Sequence, residues 1–176
     1  MTKLFLDFDG VVNFDGSRSK YNRNRDALGY VRRNSVYSPT SSAFFDLNYS
    51  GELVRKLNDL HRENSFTWLW LTTWVHEAVS LIDSRLGTES DGFVSWNPHE
   101  GVTVDNVVDE RARRKYAALK ETYNNEPFVW VDDDATREFK ASDFTVPTLV
   151  ITPDPVYGIT RPELSLMAEF FTAYKN

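Results

Sequence analysis

The sequence predicts an α/β fold, a doubly wound parallel sheet that carries one small flap. Three observations lead there. Short apolar runs of strand length alternate with segments whose apolar residues recur at helical spacing, the pattern of strand–helix–strand crossovers. The run at 65–72 (SFTWLWLT) is apolar without alternation, as a strand covered on both faces must be. Two other runs, 3–8 and 127–131, end in or are followed by acids rather than opening on them, which puts charge at the carboxyl edge of the sheet. A chain of 176 residues with 41% apolar and 14% aromatic residues can bury roughly 70% of its unfolded surface, so a single ordered domain across 1–176 is expected.

The elements follow in order. Residues 3–8 form a buried strand that delivers Asp7 to its end, with Gly10 permitting a tight turn. Residues 13–39 are polar, basic and without sustained period, which suggests a flap or short cap rather than a core element. A short strand is predicted at 43–48. Ser50 is a candidate N-cap with Glu52 in the first turn, and Leu53, Leu57 and Leu60 then mark a helix to about Arg62. After the strand at 65–72, Val75, Val79 and Ile82 predict a helix over 75–86 that stops before Gly87. Residues 91–106 contain Gly92, Pro98 and Gly101 and admit only brief strands or turns. Ala112, Tyr116 and Leu119 share one face of a basic helix at 109–123. A strand at 127–131 leads to three consecutive acids, Asp134 is placed to cap a short helix to about Ala141, and 147–151 is a last buried strand. Thr160 and Glu163 have capping-box spacing ahead of Leu164, Met167, Phe170 and Phe171, the apolar face of a final helix.

Composition removes several classes of function. Without cysteine there is no disulfide framework, no thiolate nucleophile and no cysteine-based zinc or iron–sulfur site, and three histidines (61, 76, 99) leave little for a histidine cage. The apolar stretch at the N-terminus meets Asp7 far short of a signal peptide or membrane span, so a cytoplasmic protein with no membrane partner is expected. Twenty bases against 26 acids give a net charge of −6, which disfavours bulk attraction to polyanions. The charge is nevertheless uneven. Arg18, Lys20, Arg23, Arg25, Arg32 and Arg33 face only Asp26 between Ser17 and Ser38, a local basic patch.

At the carboxyl edge the predicted strands deliver Asp7, Asp9 and Gly10, then Thr72 and Thr73, then Asp132, Asp133 and Asp134, while the preceding helix carries Lys115. So many carboxylates repel unless a cation compensates them, and hard oxygen ligands favour Mg2+. LFLDFDGVV resembles the first motif of the haloacid dehalogenase superfamily of phosphotransferases. LWLTT resembles its second, Lys115 its third and VWVDDD its fourth, in family order from Leu4 to Asp134. Trp74, Trp130 and the late Asp154, Gly158, Ile159 and Thr160 are further similar to a small phosphatase-like group found beside RNA repair enzymes and in phage genomes.

The resemblance implies a Rossmann-like core and a set of roles. Asp7 is the nucleophile that forms an aspartyl-phosphate, Asp9 the general acid and then base, Thr72 a donor to a phosphoryl oxygen, and Lys115 the group that neutralises charge. Magnesium is held by the Asp7 carboxylate, the Asp9 carbonyl and Asp133, with Asp132 ligating or orienting Lys115. Alternatives stay open. A one-residue slip exchanges Thr72 and Thr73, and Arg113, Arg114 and Lys120 compete with Lys115. Asp7 and Asp9 also suit a turn after a strand, Asp132 and Asp133 a helix start, and Asp134 a cap. His76 and His99 suit the surface, Trp68 and Trp70 the strand core, and Trp74 and Trp96 either core or a base-stacking pocket.

A flap of about twenty-five residues is too small to seclude a metabolite, which favours a bulky substrate such as an RNA or DNA end phosphate or a nucleotide. Arg23 and Arg25, with Tyr21, Tyr30 and Tyr37 interleaved among the bases, are candidates to bind it. A small-molecule nucleotidase or sugar phosphatase, and a non-catalytic nucleic-acid-binding module on the same fold, are the alternatives.

Overall fold

A computed structural model describes residues 1–15, 21–100, 103, 106–123 and 125–175. Five strands make one parallel sheet: β1 (Lys3–Leu6), β4 (Thr67–Trp70), β5 (Gly92–Phe93), β6 (Phe128–Val131) and β7 (Thr148–Ile151). Their spatial order is β5-β4-β1-β6-β7, which puts β1 at the centre. Two antiparallel strands, β2 (Val31–Ser38) and β3 (Ala43–Ser50), form a separate hairpin. Among the described residues the main helices are α1 (Gly51–Asn64), α2 (a π-helical stretch Ala78–Asp83, preceded by an α turn at 76–77 and continued by the α turn Ser84–Leu86), α3 (Val107–Thr122) and α4 (Arg161–Ala173).

Alternation along the central strands divides the core in two. Leu4, Leu6, Trp68, Trp70, Val129 and Val131 face one layer, with Leu53 and Leu57 of α1 and Met167 and Phe171 of α4. Phe5, Phe128 and Trp130 face the other, against Tyr116, Ala118 and Leu119 of α3. Both faces of the sheet are therefore covered, which is why its strands read as continuous apolar runs. The register has a further consequence. Leu6 lies opposite both Trp70 and Val131, so β1, β4 and β6 end level and the residues after them emerge side by side.

The helix ends follow their local chemistry. Ser50 caps α1 by accepting from the N–H groups of Glu52 and Leu53, both at 3.2 Å. Thr160 and Glu163 close a capping box on α4. Among the described residues no helix is long and apolar enough to cross a membrane.

Several expectations are corrected. The 13–39 segment is not peripheral throughout: Tyr21 is 0% exposed and stacks on Phe14 at 4.4 Å, Leu28 is 1% exposed, and β2 is a full strand paired with β3. A polar composition concealed it because only one face of the hairpin is buried, and Arg18 and Lys20 lie outside the described residues. The helix expected over 75–86 runs from His76, after a turn in which Val75 has a φ of 47°, but its middle, Ala78–Asp83, is π-helical rather than α-helical. In place of a helix over 134–141 there are two 3-10 turns, Ala135–Arg137 and Ala141–Asp143, and Asp134 makes no side-chain cap. The last strand, β7, lies at a sheet edge with Thr148, Leu149 and Val150 only half-buried.

Candidate active site

Asp7 leaves the end of β1 with its N–H donated to the Val131 carbonyl at 2.9 Å, so the sheet itself fixes its position. One carboxylate oxygen accepts from the Phe8 N–H at 2.7 Å. The other takes the Lys115 ammonium, which also donates to Asp132 Oδ2 at 2.9 Å. All three groups are buried. Asp132 follows β6, and its second oxygen accepts the Asp134 N–H at 2.9 Å, so it orients the lysine with both oxygens engaged. Arg113, Arg114 and Lys120, the competitors for the lysine's place, pair instead with Glu110, with Glu100 and Glu110, and with Asp143.

Two buried carboxylates share one ammonium, which leaves an excess of negative charge. Burial above all, with Asp132 adding to it against the pull of Lys115, pushes the Asp7 carboxyl up to about 8. Burial, with Asp132 and Asp134 beside it, pushes Asp133 up to about 6. For Lys115 burial acts to lower the value, and the two carboxylates overcome it and raise the ammonium above its usual range.

Asp9 turns away from this cluster. It is exposed, and its oxygens accept from Asn13 Nδ2 at 2.7 Å and from the Trp74 indole N–H at 2.9 Å. Asn13 in turn accepts the Asn48 N–H at 2.7 Å, so the hairpin and Asp9 are joined through one side chain. Around and after Asp9 the chain folds tightly: the Phe8 carbonyl accepts from Val11, Val12 and Asn13, and Gly10 sits at φ 75°. A Cβ on Gly10 would lie 2.5 Å from the Asp133 Cγ, so only glycine lets this loop rest on that carboxylate.

The late Asp154, Gly158 and Ile159 brace the same loop. Ile159 donates to the Val11 carbonyl at 3.0 Å, and a Cβ on Gly158 would come within 2.3 Å of that oxygen. Asp154 holds the turn by accepting the Val156 N–H at 2.9 Å. These residues act by packing and do not enter the cleft.

A cleft of about 190 Å³ is lined by Asp7, Asp9, Thr73, Lys115 and Asp133, with Asp15, Arg111 and Asp134 at its margin. Thr73 is half-buried there. Thr72 is 1% exposed, and its hydroxyl lies 3.5 Å from the Trp74 N–H. Asp134 pairs with Arg137 at 2.6 Å. Arg23 and Arg25 are exposed and stand outside the lining of this cleft, as does His76, while His99 lines only its neighbour. Three residues at the site had no sequence signal of their own. Arg111 lies one helical turn before Lys115, Asn13 holds Asp9, and Glu77 is a buried carboxylate that accepts from Ser38 and Thr40 of the hairpin. The i, i+4 spacing to Lys115 could have found Arg111.

Ligand oxygens of Asp7, Asp132 and Asp133 lie within 4.8 Å of one another. An all-oxygen set with excess negative charge fits a hard divalent cation. A parallel sheet with a buried aspartate at the end of its central strand, a lysine clamped between two carboxylates and a neighbouring acid cluster defines a haloacid dehalogenase-type domain, at class level a phosphatase-type hydrolase that generally uses Mg2+. More narrowly, the chain belongs to the family described as the HAD domain in Swiss Army Knife RNA repair proteins, whose model matches residues 3–164. No curated protein and no solved structure gives a significant match.

Proposed function

We propose that the protein is a cytoplasmic Mg2+-dependent phosphomonoesterase that acts through Asp7 on a nucleic-acid end phosphate or a nucleotide. The observation that carries this reading is the convergence of Asp7, Lys115 and Asp133 on one cleft with Asp9 at its mouth. Asp7 and Asp133, with Asp132 behind them and the Asp9 carbonyl, would hold the cation. When bound, it neutralises phosphoryl charge and keeps Asp7 ionised.

The chain's own groups supply the rest. An Asp7 oxygen attacks phosphorus as the bond from phosphorus to the ester oxygen breaks, and Asp9 gives its proton to the departing alkoxide, which leaves as an alcohol. A water then attacks the aspartyl-phosphate and passes a proton to Asp9. Inorganic phosphate departs and the Asp7 carboxylate is restored. Lys115 stays in contact with the nucleophile throughout and offsets charge on the transferring group, and Thr73, which lines the cleft in the turn after β4, offers its hydroxyl to a phosphoryl oxygen in the place the sequence favoured for Thr72. Both oxygens of Asp9 accept hydrogen bonds, from the Asn13 amide and the Trp74 indole, which holds the side chain at the edge of the cleft.

The test is phosphate release with Mg2+ from a panel of aryl phosphate, mononucleotides, a sugar phosphate and 3′- and 5′-phosphorylated oligonucleotides. Wild type is expected to release phosphate, most rapidly from a nucleotide or an oligonucleotide end, and Asp7→Asn to lose at least 10³-fold, the order seen when a covalent nucleophile is removed. Release that survives Asp7→Asn would overturn the assignment. A preference for the sugar phosphate would favour small-molecule hydrolysis, and no release from any member by folded protein would favour a binding module.

A further inference from the structure

A second cleft, of about 290 Å³, opens beside the first and shares Asp9, Thr73 and Arg111 with it. It lies between the hairpin and the turn after β4, and the chemistry described so far makes no use of its far wall. Three features of that wall go together. Phe45, 39% exposed, stands edge-on to Trp74 at 5.0 Å, and the Trp74 indole is bonded to Asp9, so an aromatic surface begins where the leaving oxygen would receive its proton. Glu77 is buried at its floor, with both oxygens within reach of the single Ser38 hydroxyl, at 3.0 and 2.8 Å, and one accepting the Thr40 N–H at 3.1 Å, and a carboxylate offers about four such positions. Burial acts to raise its carboxyl, and the bonds from the Thr40 N–H and the Ser38 hydroxyl outweigh it and hold the group below the usual range, as an anion. Arg111, at the junction, has a buried Nε with no hydrogen-bond partner among the described residues, whereas Arg113 and Arg114 on the same helix are engaged by Glu110 and Glu100.

Each feature selects a part of a ligand. A stacking surface of this kind takes a flat ring and gives nothing to a polyol. An anionic acceptor with capacity left needs a hydroxyl or amino donor. A buried guanidinium N–H without a partner, between this cleft and the one that holds the nucleophile, needs an anion, and phosphate oxygens match its fork. We infer that the second cleft is the leaving-group subsite and that it takes a nucleoside: the base lies against Phe45 and Trp74, a ribose hydroxyl or a base amino group donates to Glu77, and Arg111 holds the phosphate at the junction. This assignment rests on the phosphomonoesterase reading for the direction of the ligand, with its phosphate toward Asp7. A phosphotyrosine side chain fills the aromatic wall equally well but carries no donor for Glu77, so the three features together favour a nucleotide over a phosphoprotein.

The test separates this assignment from catalysis by measuring binding in Asp7→Asn protein with Mg2+. Calorimetric titrations compare inorganic phosphate, nucleoside 3′- and 5′-monophosphates and phosphotyrosine. At least one nucleoside monophosphate is expected to bind tenfold or more tightly than phosphate. Phe45→Ala should cut that advantage to threefold or less, and Phe45→Leu, which keeps apolar bulk in the hairpin, should do the same. Arg111→Ala should weaken the nucleotide at least tenfold, with partial recovery in Arg111→Lys. Nucleotides no tighter than phosphate, an advantage that persists in both Phe45 variants, or phosphotyrosine binding as tightly as the nucleotides would each overturn the assignment. Wild type that hydrolyses no ester while the Phe45-dependent advantage remains would remove the phosphatase reading and leave a nucleotide-binding cleft.

Discussion

Lys115 decides whether the site can exist. Buried between Asp7 and Asp132, it is the compensating cation for two carboxylates that would otherwise repel in a place with little solvent. Removing one partner of such a cluster leaves uncompensated charge, whereas removing charge from both sides does not. Lys115→Met is therefore expected to destabilise the protein by about 3–5 kcal/mol and to abolish phosphate release. Adding Asp132→Asn should recover most of the stability in denaturant titrations without recovering release. A single variant as stable as wild type would show that Lys115 carries no such burden. Sequence order alone made Lys115 one of four candidates; what singles it out is that its neighbours are paired with acids on the outside of α3.

Among the elements, α1 shows how much is legible locally. Its N-cap was readable from Ser50 and Glu52, and its amphipathic leucines from their spacing. Its end was not: the helix runs to Asn64 and stops on Ser65 at φ 54°, a left-handed C-cap that the sequence does not advertise because the residue is not glycine. Ser65→Gly removes that penalty at an exposed position and should raise stability by about 1 kcal/mol, read as an upward shift of the unfolding midpoint. An unchanged or lower midpoint would mean that the left-handed conformation costs nothing there. The hairpin shows the opposite case. Arg32, Arg33 and Ser35 make β2 read as loop, and it becomes a strand because Val31, Val36 and Ser38 face inward while β3 supplies its hydrogen bonds.

For the molecule as a whole, charge links folding to pH and to metal. Asp7 and Asp133 have folded values of about 8 and about 6 against 3.8 when unfolded, so between these limits the folded protein binds more protons than the unfolded chain. Stability from these groups accordingly falls as pH rises from about 4 to about 8. Magnesium should reverse that loss by replacing the protons, with a larger rise in melting temperature at pH 8 than at pH 5.5 that EDTA abolishes, and Asp133→Asn should shrink the difference. An equal rise at both pH values would contradict proton displacement. On the outside, Arg23 and Arg25 are proposed to draw polyanions toward a protein of net charge −6. Reversing both to Glu should lower oligonucleotide turnover severalfold at low salt, less at high salt, and affect a mononucleotide less than an oligonucleotide. Equal losses on the two substrates would argue against that role.

Sequence by itself determined the α/β class, the central strands and the acids that follow them, Asp7 and Asp132–Asp133, because continuous apolar runs and the acids at their ends are local signals of burial and of a sheet edge. Tertiary structure decided the rest. Which threonine faces the cleft, that Asn13 holds Asp9, that Gly158 braces the loop after Asp7, and that Phe45, Glu77 and Arg111 meet beside it all depend on strand register and on packing between residues far apart in the chain. No local pattern encodes those distances, since they are set only when β1, β4 and β6 end level and the hairpin closes over them.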